Sequence, residues 1–246
     1  MNMRNVRLDI CYDGTKYKGF QRLPGNQLTI QGKLEQTLSR LLEEPIEISA
    51  SGRTDAGTHA MGQVVSFRCN SSMPCEQILE GLRQYLPEDI GVHICKNVSP
   101  RFHARLNAKT KTYKYRLWNG QNPCVFERKY VYVDRAKYDV SLMRRAAELY
   151  LGTHDFSAFC ANKHMKKSTV RTIESFDVEL KGDEIVFTVT GNGFLQHMVR
   201  IMVGTLLEVG CGKRDMNDIS ELFGKERSEA GPAVPACGLC LMEVLY

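Results

Sequence analysis

Over its first hundred residues the chain changes periodicity in a fixed order: strand, helix, strand, strand, helix, strand. Residues 6–12 alternate apolar and polar, as a half-buried strand does. Thr29 is placed to cap a helix over 30–43, in which Leu34, Leu38, Leu41 and Leu42 share a face and which Pro45 is expected to end. Strands are expected around 46–48 and 63–67. Ser72 and Pro74 then open a second helix with Ile78, Leu79, Leu82 and Leu86 on its apolar side, stopped by Pro87, and residues 92–98 read as a strand. This β-α-β-β-α-β succession is the ferredoxin-like order, so the chain is expected to be of mixed α/β class.

Between the second and third strands lies the run Ser51-Gly52-Arg53-Thr54-Asp55-Ala56-Gly57-Thr58-His59-Ala60. It reads as a ten-residue loop, and loops on a rigid scaffold are where sites gather. Two glycines flank Arg53 and Asp55, and glycine lets a backbone take positive φ or lie close to a neighbour. Arg53 and Asp55 either act on one site or pair with each other. A carboxylate held beside a positive charge stays ionised and can serve as nucleophile or general base. The same residues also make an ordinary turn, since Asp and Gly are common turn formers.

The second half carries a basic and aromatic run, Lys109-Thr110-Lys111-Thr112-Tyr113-Lys114-Tyr115-Arg116-Leu117-Trp118. On a strand, Tyr113, Tyr115 and Leu117 share one face and Lys114, Arg116 and Trp118 the other. Such a strand suits stacking on bases and contact with phosphate. Equally, it is an amphipathic strand with core tyrosines and a solvated basic face. Lys16-Tyr17-Lys18-Gly19-Phe20-Gln21-Arg22 is open to the same two readings, as base-stacking rings or as a loop with two anchors.

A helix capped by Asp139 is expected to run to about 151 with Leu142, Ala146 and Leu149 inward. A hairpin follows over 169–180 and 184–190. Lys163-His164-Met165-Lys166-Lys167-Ser168 is a basic loop, suited to phosphate contact if a nucleic acid binds. Beyond Gly191-Asn192-Gly193-Phe194-Leu195-Gln196-His197-Met198-Val199-Arg200 a helix turns Met198, Ile201, Met202 and Thr205 to the core. Arg200 interrupts this apolar segment: buried, its guanidinium calls for a carboxylate partner, and the other reading is a side chain that snorkels to solvent. A short helix over 215–223 and a last strand to 246 close the chain. The expected division is 1–105 and 106–246.

Composition narrows the function. The net charge of +5 permits a nucleic-acid partner without demanding one. No run of about 18 apolar residues marks a membrane span, so no membrane association is expected. The first residues show no export signal, and the odd, scattered set of nine cysteines fits free thiols in a reducing cytosol. Cys237-Gly238-Leu239-Cys240 lacks a second pair or a nearby His for zinc and reads as part of a buried strand. With the six histidines dispersed, a metal-dependent hydrolase is not supported.

Residues 52–60 resemble the signature loop of the TruA-type tRNA pseudouridine synthases. Tyr17-Lys18-Gly19-Phe20-Gln21, Phe102-His103-Ala104-Arg105 with Tyr113-Lys114-Tyr115, Gly152-Thr153-His154-Asp155-Phe156, residues 191–200 and the closing segment from Ala230-Gly231-Pro232 to Leu239 resemble further segments of that family, in order. The resemblance implies two ferredoxin-like halves with a joined, mainly antiparallel sheet and a central active-site cleft. It implies isomerisation of uridine to pseudouridine at positions 38 to 40 of the tRNA anticodon arm, no cofactor and no metal, a homodimer, and a cytoplasmic setting. It makes Asp55 the nucleophile, Arg200 the cation that holds it ionised, and Tyr113 the ring on the target base. Arg53, His59 and Leu239 become substrate contacts. His154 and Asp155 receive no chemistry.

The departures are Thr58 where the family usually has Val, Arg22-Leu23 in place of a common Gln region, a longer loop over 24–28, and an end soon after the last strand. The alternatives are a non-catalytic RNA-binding module, which leaves Asp55 unexplained, and a related enzyme acting at another RNA position.

Overall fold

The computed structural model describes residues 3–25, 28–162 and 165–246. Lys163 and His164 of the basic loop, and Asn26 and Gln27 of the loop over 24–28, lie outside the described residues. The chain forms two compact units: Met1–Lys109 with Leu241–Tyr246, and Thr110–Cys240. The expected division at 105/106 thus falls four residues later, and the last six residues pack with the first unit rather than the second.

In the first unit the elements are β1 (Arg4–Tyr12), α1 (Ile30–Leu42), β2 (Ile48–Ala50), β3 (His59–Cys69), α2 (Cys75–Tyr85) and β4 (Ile90–Val98). The β-α-β-β-α-β order is as expected. Strand β1 pairs antiparallel with both β3 and β4, and β2 pairs antiparallel with β3. Val6, Leu8 and Ile10 are fully buried and lie opposite Phe67, Val65 and Gln63. Helix α1 buries Ile30, Leu34, Leu38 and Leu42, while Leu41 reaches sideways. A Cβ on Gly81 would sit 2.7 Å from a Leu41 methyl, so the bare Gly81 lets α2 come up against α1.

Two local expectations need correction. Helix α1 ends at Leu42, where Glu43 turns left-handed at φ 55°, before Pro45 is reached. Helix α2 begins after Pro74 with no side-chain cap, so Ser72 does not open it. Glu35, charged and on the inner side of α1, is buried because its carboxylate accepts the Ile48 amide at 3.1 Å and the Arg22 guanidinium at 2.8 Å. A buried carboxylate persists only when paired in this way.

The second unit contains β5 (Thr110–Trp118), β6 (Tyr132–Val133), α3 (Val140–Glu148), β7 (Gly152–Asp155), β8 (Val170–Lys181), β9 (Glu184–Gly191), α4 (Met198–Gly210), α5 (Asp218–Glu221) and the start of β10 (Leu239–Leu245). Strands β5, β9, β8 and β7 follow one another in antiparallel pairing, and the short β6 runs parallel to β5. The tight turn between β8 and β9 is made by Gly182 at φ 60° and Asp183. Strand β5 alternates as read: Tyr113, Tyr115 and Leu117 are buried, their neighbours half-exposed. The phenol of Tyr115 donates to the Pro235 carbonyl at 2.8 Å, which is why a polar ring is tolerated in this core.

Asp139 caps α3, accepting the Leu142 amide at 2.8 Å. The buried face is Met143, Ala146 and Ala147 with Tyr150 beyond the helix, one residue out of phase with the expected Leu142, Ala146 and Leu149. The helix lies close on α4, where Gly210 leaves room for Met143. The short helix is only four residues long and does not fill 215–223. Cys237 stands in a single helical turn, not in a strand, and β10 begins at Leu239. All nine cysteines are free thiols. No helix among the described residues is long and apolar enough to cross a membrane.

Helix α4 is buried on almost every side, and its contact with the segment ahead of β10 is backbone against backbone. A Cβ on Gly204 would stand 1.8 Å from the Pro232 carbonyl oxygen. Gly204→Ala is expected to destabilise the protein by about 2–3 kcal/mol, because the obstacle is backbone that cannot rotate away. Thermal unfolding should show a midpoint lower by roughly 5–10 °C.

Candidate active site

The loop after β2 spans residues 51–58, shorter than expected, because His59 and Ala60 already belong to β3. It closes on itself through a turn in which the Thr58 amide donates to the Asp55 carbonyl at 3.1 Å, with Gly57 at φ 77°. A second segment, residues 13–20, lies along it. The Phe20 amide donates to the Thr54 carbonyl at 3.1 Å and the Gly57 amide to the Tyr17 carbonyl at 3.4 Å.

Two glycines permit this approach. A Cβ on Gly14 would fall 2.0 Å from the Thr58 carbonyl oxygen. One on Gly19, which sits at φ 99°, would fall 3.0 Å from the Thr54 oxygen and 3.4 Å from the Asp55 carbonyl carbon. The segment is fixed in turn to α1, whose first amides, Ile30 and Gln31, donate to the Gly19 and Phe20 carbonyls. Helix-start amides need such acceptors, so one set of bonds satisfies the helix and holds the segment.

Buried polar groups anchor the loop from below. The hydroxyls of Tyr12 and Thr54 share a hydrogen bond of 2.8 Å. Ser51 donates to the Gln63 side chain at 2.6 Å, and the Gln63 amide donates to the Gly52 carbonyl at 2.9 Å. Both Ser51 and Gln63 are fully buried. The Gly14 amide donates to His59 Nδ1 at 3.1 Å, and Asp13 Oδ1 lies 3.2 Å from the same nitrogen. His59 is therefore a buried support of the loop and its neighbour segment.

On this frame Asp55 is half-buried and Arg53 is exposed. Arg53 makes no ion pair among the described residues, so of the two readings open from the sequence, pairing with Asp55 is ruled out. The arrangement presents a carboxylate on a backbone clamped from two sides, with a solvent-facing guanidinium two residues away. A carboxylate so held can attack carbon or take a proton without first paying for ordering of its loop.

Three of the expected site residues belong to the second unit. Tyr113, on β5, is buried and meets Phe194 edge to face at 5.1 Å between ring centres. Arg200, in the first turn of α4, is half-buried, and its Nε donates to the Val234 carbonyl at 2.7 Å. Leu239 is buried at the start of β10. Tyr17 and Phe20 are 3% and 2% exposed, so they are anchors and not rings offered to a base. His154 is stacked on Phe223 at 4.1 Å and its Nε2 bonds the Leu151 carbonyl, a packing role.

Sequence reasoning missed Asp89, which sits in the turn before β4. Its Oδ1 accepts the Tyr17 hydroxyl at 2.5 Å, its Oδ2 lies 3.4 Å from Lys16 Nζ, and its carbonyl accepts the Asp13 amide at 2.9 Å. Burial and the neighbouring carboxylate push the Tyr17 phenol well above its ordinary range, so it remains the donor at all working pH values. No pattern in 86–90 marks this role; only the fold brings Asp89 to the segment.

The family model described as tRNA pseudouridine synthase matches residues 10–107 and 146–246. The tRNA pseudouridine synthase A of Halalkalibacterium halodurans is 45% identical over 239 residues, which cover 96% of this chain and 90% of the relative. The tRNA pseudouridine synthase A 1 of Clostridium tetani is 44% identical across 99% of this chain and its own full length. The tRNA pseudouridine synthase A of Bacillus sp. strain KSM-64 is 45% identical with the same coverage.

Thr58 carries a testable consequence. It is 2% exposed and its hydroxyl oxygen has no hydrogen-bond partner among the described residues. An unsatisfied buried hydroxyl costs stability that an apolar group of the same shape does not. Thr58→Val is expected to stabilise the protein by about 1 kcal/mol, raising the unfolding midpoint by roughly 2–4 °C. A lower midpoint in calorimetry would contradict this.

Proposed function

The chain belongs to the tRNA pseudouridine synthase family, and from that premise we propose that Asp55 is the group through which it isomerises uridine to pseudouridine in tRNA. The observation that carries the assignment is the clamped loop: a half-buried carboxylate on a backbone held by Phe20, Gly57 and the Tyr12–Thr54 pair.

The reaction breaks the bond from C1′ to N1, turns the base and forms a bond from C1′ to C5, after which C5 gives up its proton and N1 gains one. Atoms and electrons balance within the nucleotide, so no group donor or redox partner enters the proposal. The uracil must leave the stack to turn, which calls for a pocket and a ring to receive it. Asp55 attacks C1′ or takes the proton whose loss drives a glycal route; both demand an ionised carboxylate at the ribose. Arg200 is the cation assigned to keep it ionised, and Tyr113 the ring that stacks on the base. Leu239 packs beside the base. Arg53, exposed and without an ion pair among the described residues, holds a phosphate of the flipped nucleotide. The burial of His59 favours a supporting role over the direct contact that the resemblance implied.

The family reading adds the anticodon arm, at positions 38 to 40, as the target, a homodimer as the working form, and a cytoplasmic setting. A carboxylate within an RNA-binding surface repels phosphate, which counts against a purely binding role for this chain.

The test is pseudouridine mapping on unmodified tRNA incubated with the wild type and with Asp55→Ala. New pseudouridine in the anticodon arm is expected with the wild type and none with the variant, whose tRNA affinity should stay within about threefold or rise as a negative charge leaves the RNA surface. Pseudouridine formed by Asp55→Ala would overturn the assignment of Asp55.

A further inference from the structure

The segment over 13–20 touches the loop of Asp55 but reacts with nothing, and besides its bonds to α1 two of its fixing points meet at one distant residue. Asp89 accepts the Asp13 amide through its carbonyl at 2.9 Å and the Tyr17 hydroxyl through its carboxylate at 2.5 Å. It therefore holds the segment at two points, four residues apart. From Tyr17 the connection continues in backbone: the Tyr17 carbonyl accepts the Gly57 amide, two residues from Asp55.

We propose that Asp89 is a positioning residue for uridine isomerisation, acting through Tyr17 on the backbone that carries Asp55; this rests on the functional reading given above. Three features support it. The Tyr17 ring is 3% exposed, so its hydroxyl cannot exchange Asp89 for bulk water without moving the ring. Gly14 and Gly19 pack their backbone against Thr58 and Thr54 with no side chain between, so a shift of the segment is passed to the loop. The Asp89 side chain is itself largely covered, at 17% exposure, with Lys16 alongside it. Its carboxylate thus serves the interior of the unit more than the solvent.

A group that only stabilises the fold and a group that sets catalytic geometry differ in what they change. The first lowers the unfolding midpoint and leaves the turnover of folded enzyme alone. The second lowers the chemical step while tRNA binding holds. Single-turnover rates and tRNA affinities should therefore be measured for the wild type, Asp89→Ala, Asp89→Asn, Tyr17→Phe and the double variant Asp89→Ala/Tyr17→Phe. Tyr17→Phe keeps the ring and its packing, so it reports even if Asp89→Ala folds poorly.

The expected result is a rate about 10- to 100-fold lower in Asp89→Ala and Tyr17→Phe, with affinity within about twofold, the scale of effect of a sub-ångström to 1 Å displacement of a reacting group. Asp89→Asn retains an oxygen that accepts the Tyr17 hydroxyl and should recover the rate to within about threefold of wild type. The double variant should be no slower than Asp89→Ala alone, because both changes cut one connection. Wild-type rates in Asp89→Ala and Tyr17→Phe would overturn the proposal, as would a loss confined to affinity or to the unfolding midpoint. A wild-type protein that forms no pseudouridine would instead overturn the functional reading on which the proposal stands.

Discussion

A close backbone contact underlies the site. Residues 13–20 lie against residues 54–58 with hydrogen bonds at Phe20 and Gly57 and with bare glycine at positions 14 and 19. Any side chain at Gly14 would drive the two segments apart, since its Cβ would fall 2.0 Å from the Thr58 oxygen, far inside van der Waals contact. The helix start at Ile30, the buried Ser51–Gln63 bond and the Asp89–Tyr17 bond all converge on this contact. Asp55 inherits its fixed backbone from it. An active-site carboxylate needs that rigidity more than it needs any single neighbour, because small misplacement costs large factors in rate.

The elements themselves were largely readable. Strand β1, the Thr29 cap, the alternation of β5, the Asp139 cap and the order of the first unit follow from local patterning that tertiary packing reinforces. The misses have physical causes. Leu142, Ala146 and Leu149 read as inward because they fall at helical spacing, yet the close approach of a glycine-bearing helix favours Met143 and two alanines. Glu35 was not expected inside, because its burial depends on Ile48 and Arg22, far along the chain. Tyr17 and Phe20 were open to two readings, as stacking rings or as anchors, and the fold selects the second: the lysines face out and the rings face in.

The candidate site was legible as a motif and not as a mechanism of support. Arg53 and Asp55 stood out through their glycine setting, and the structure separates the exposed guanidinium from the half-buried carboxylate. Asp89 gave no signal, since a carboxylate in a turn is the commonest of surface residues and only its hydrogen bonds distinguish it. Thr58 was visible as a departure from the resembling family, and the structure turns that departure into a buried hydroxyl without a partner among the described residues. Glycines and buried polar groups shape the loop, while Arg53 stays exposed on it and Asp55 half-buried.

The central claim is that the carboxylate works because of where this backbone holds it. The most direct measurement is the single-turnover rate of Asp55→Glu on unmodified tRNA, which keeps the charge and moves it by one methylene. A clamped loop cannot retreat to compensate, so the rate is predicted to fall by about 100-fold or more with tRNA affinity unchanged. A rate within about tenfold of wild type would contradict the account, because it would mean that the loop adapts to the carboxylate instead of placing it.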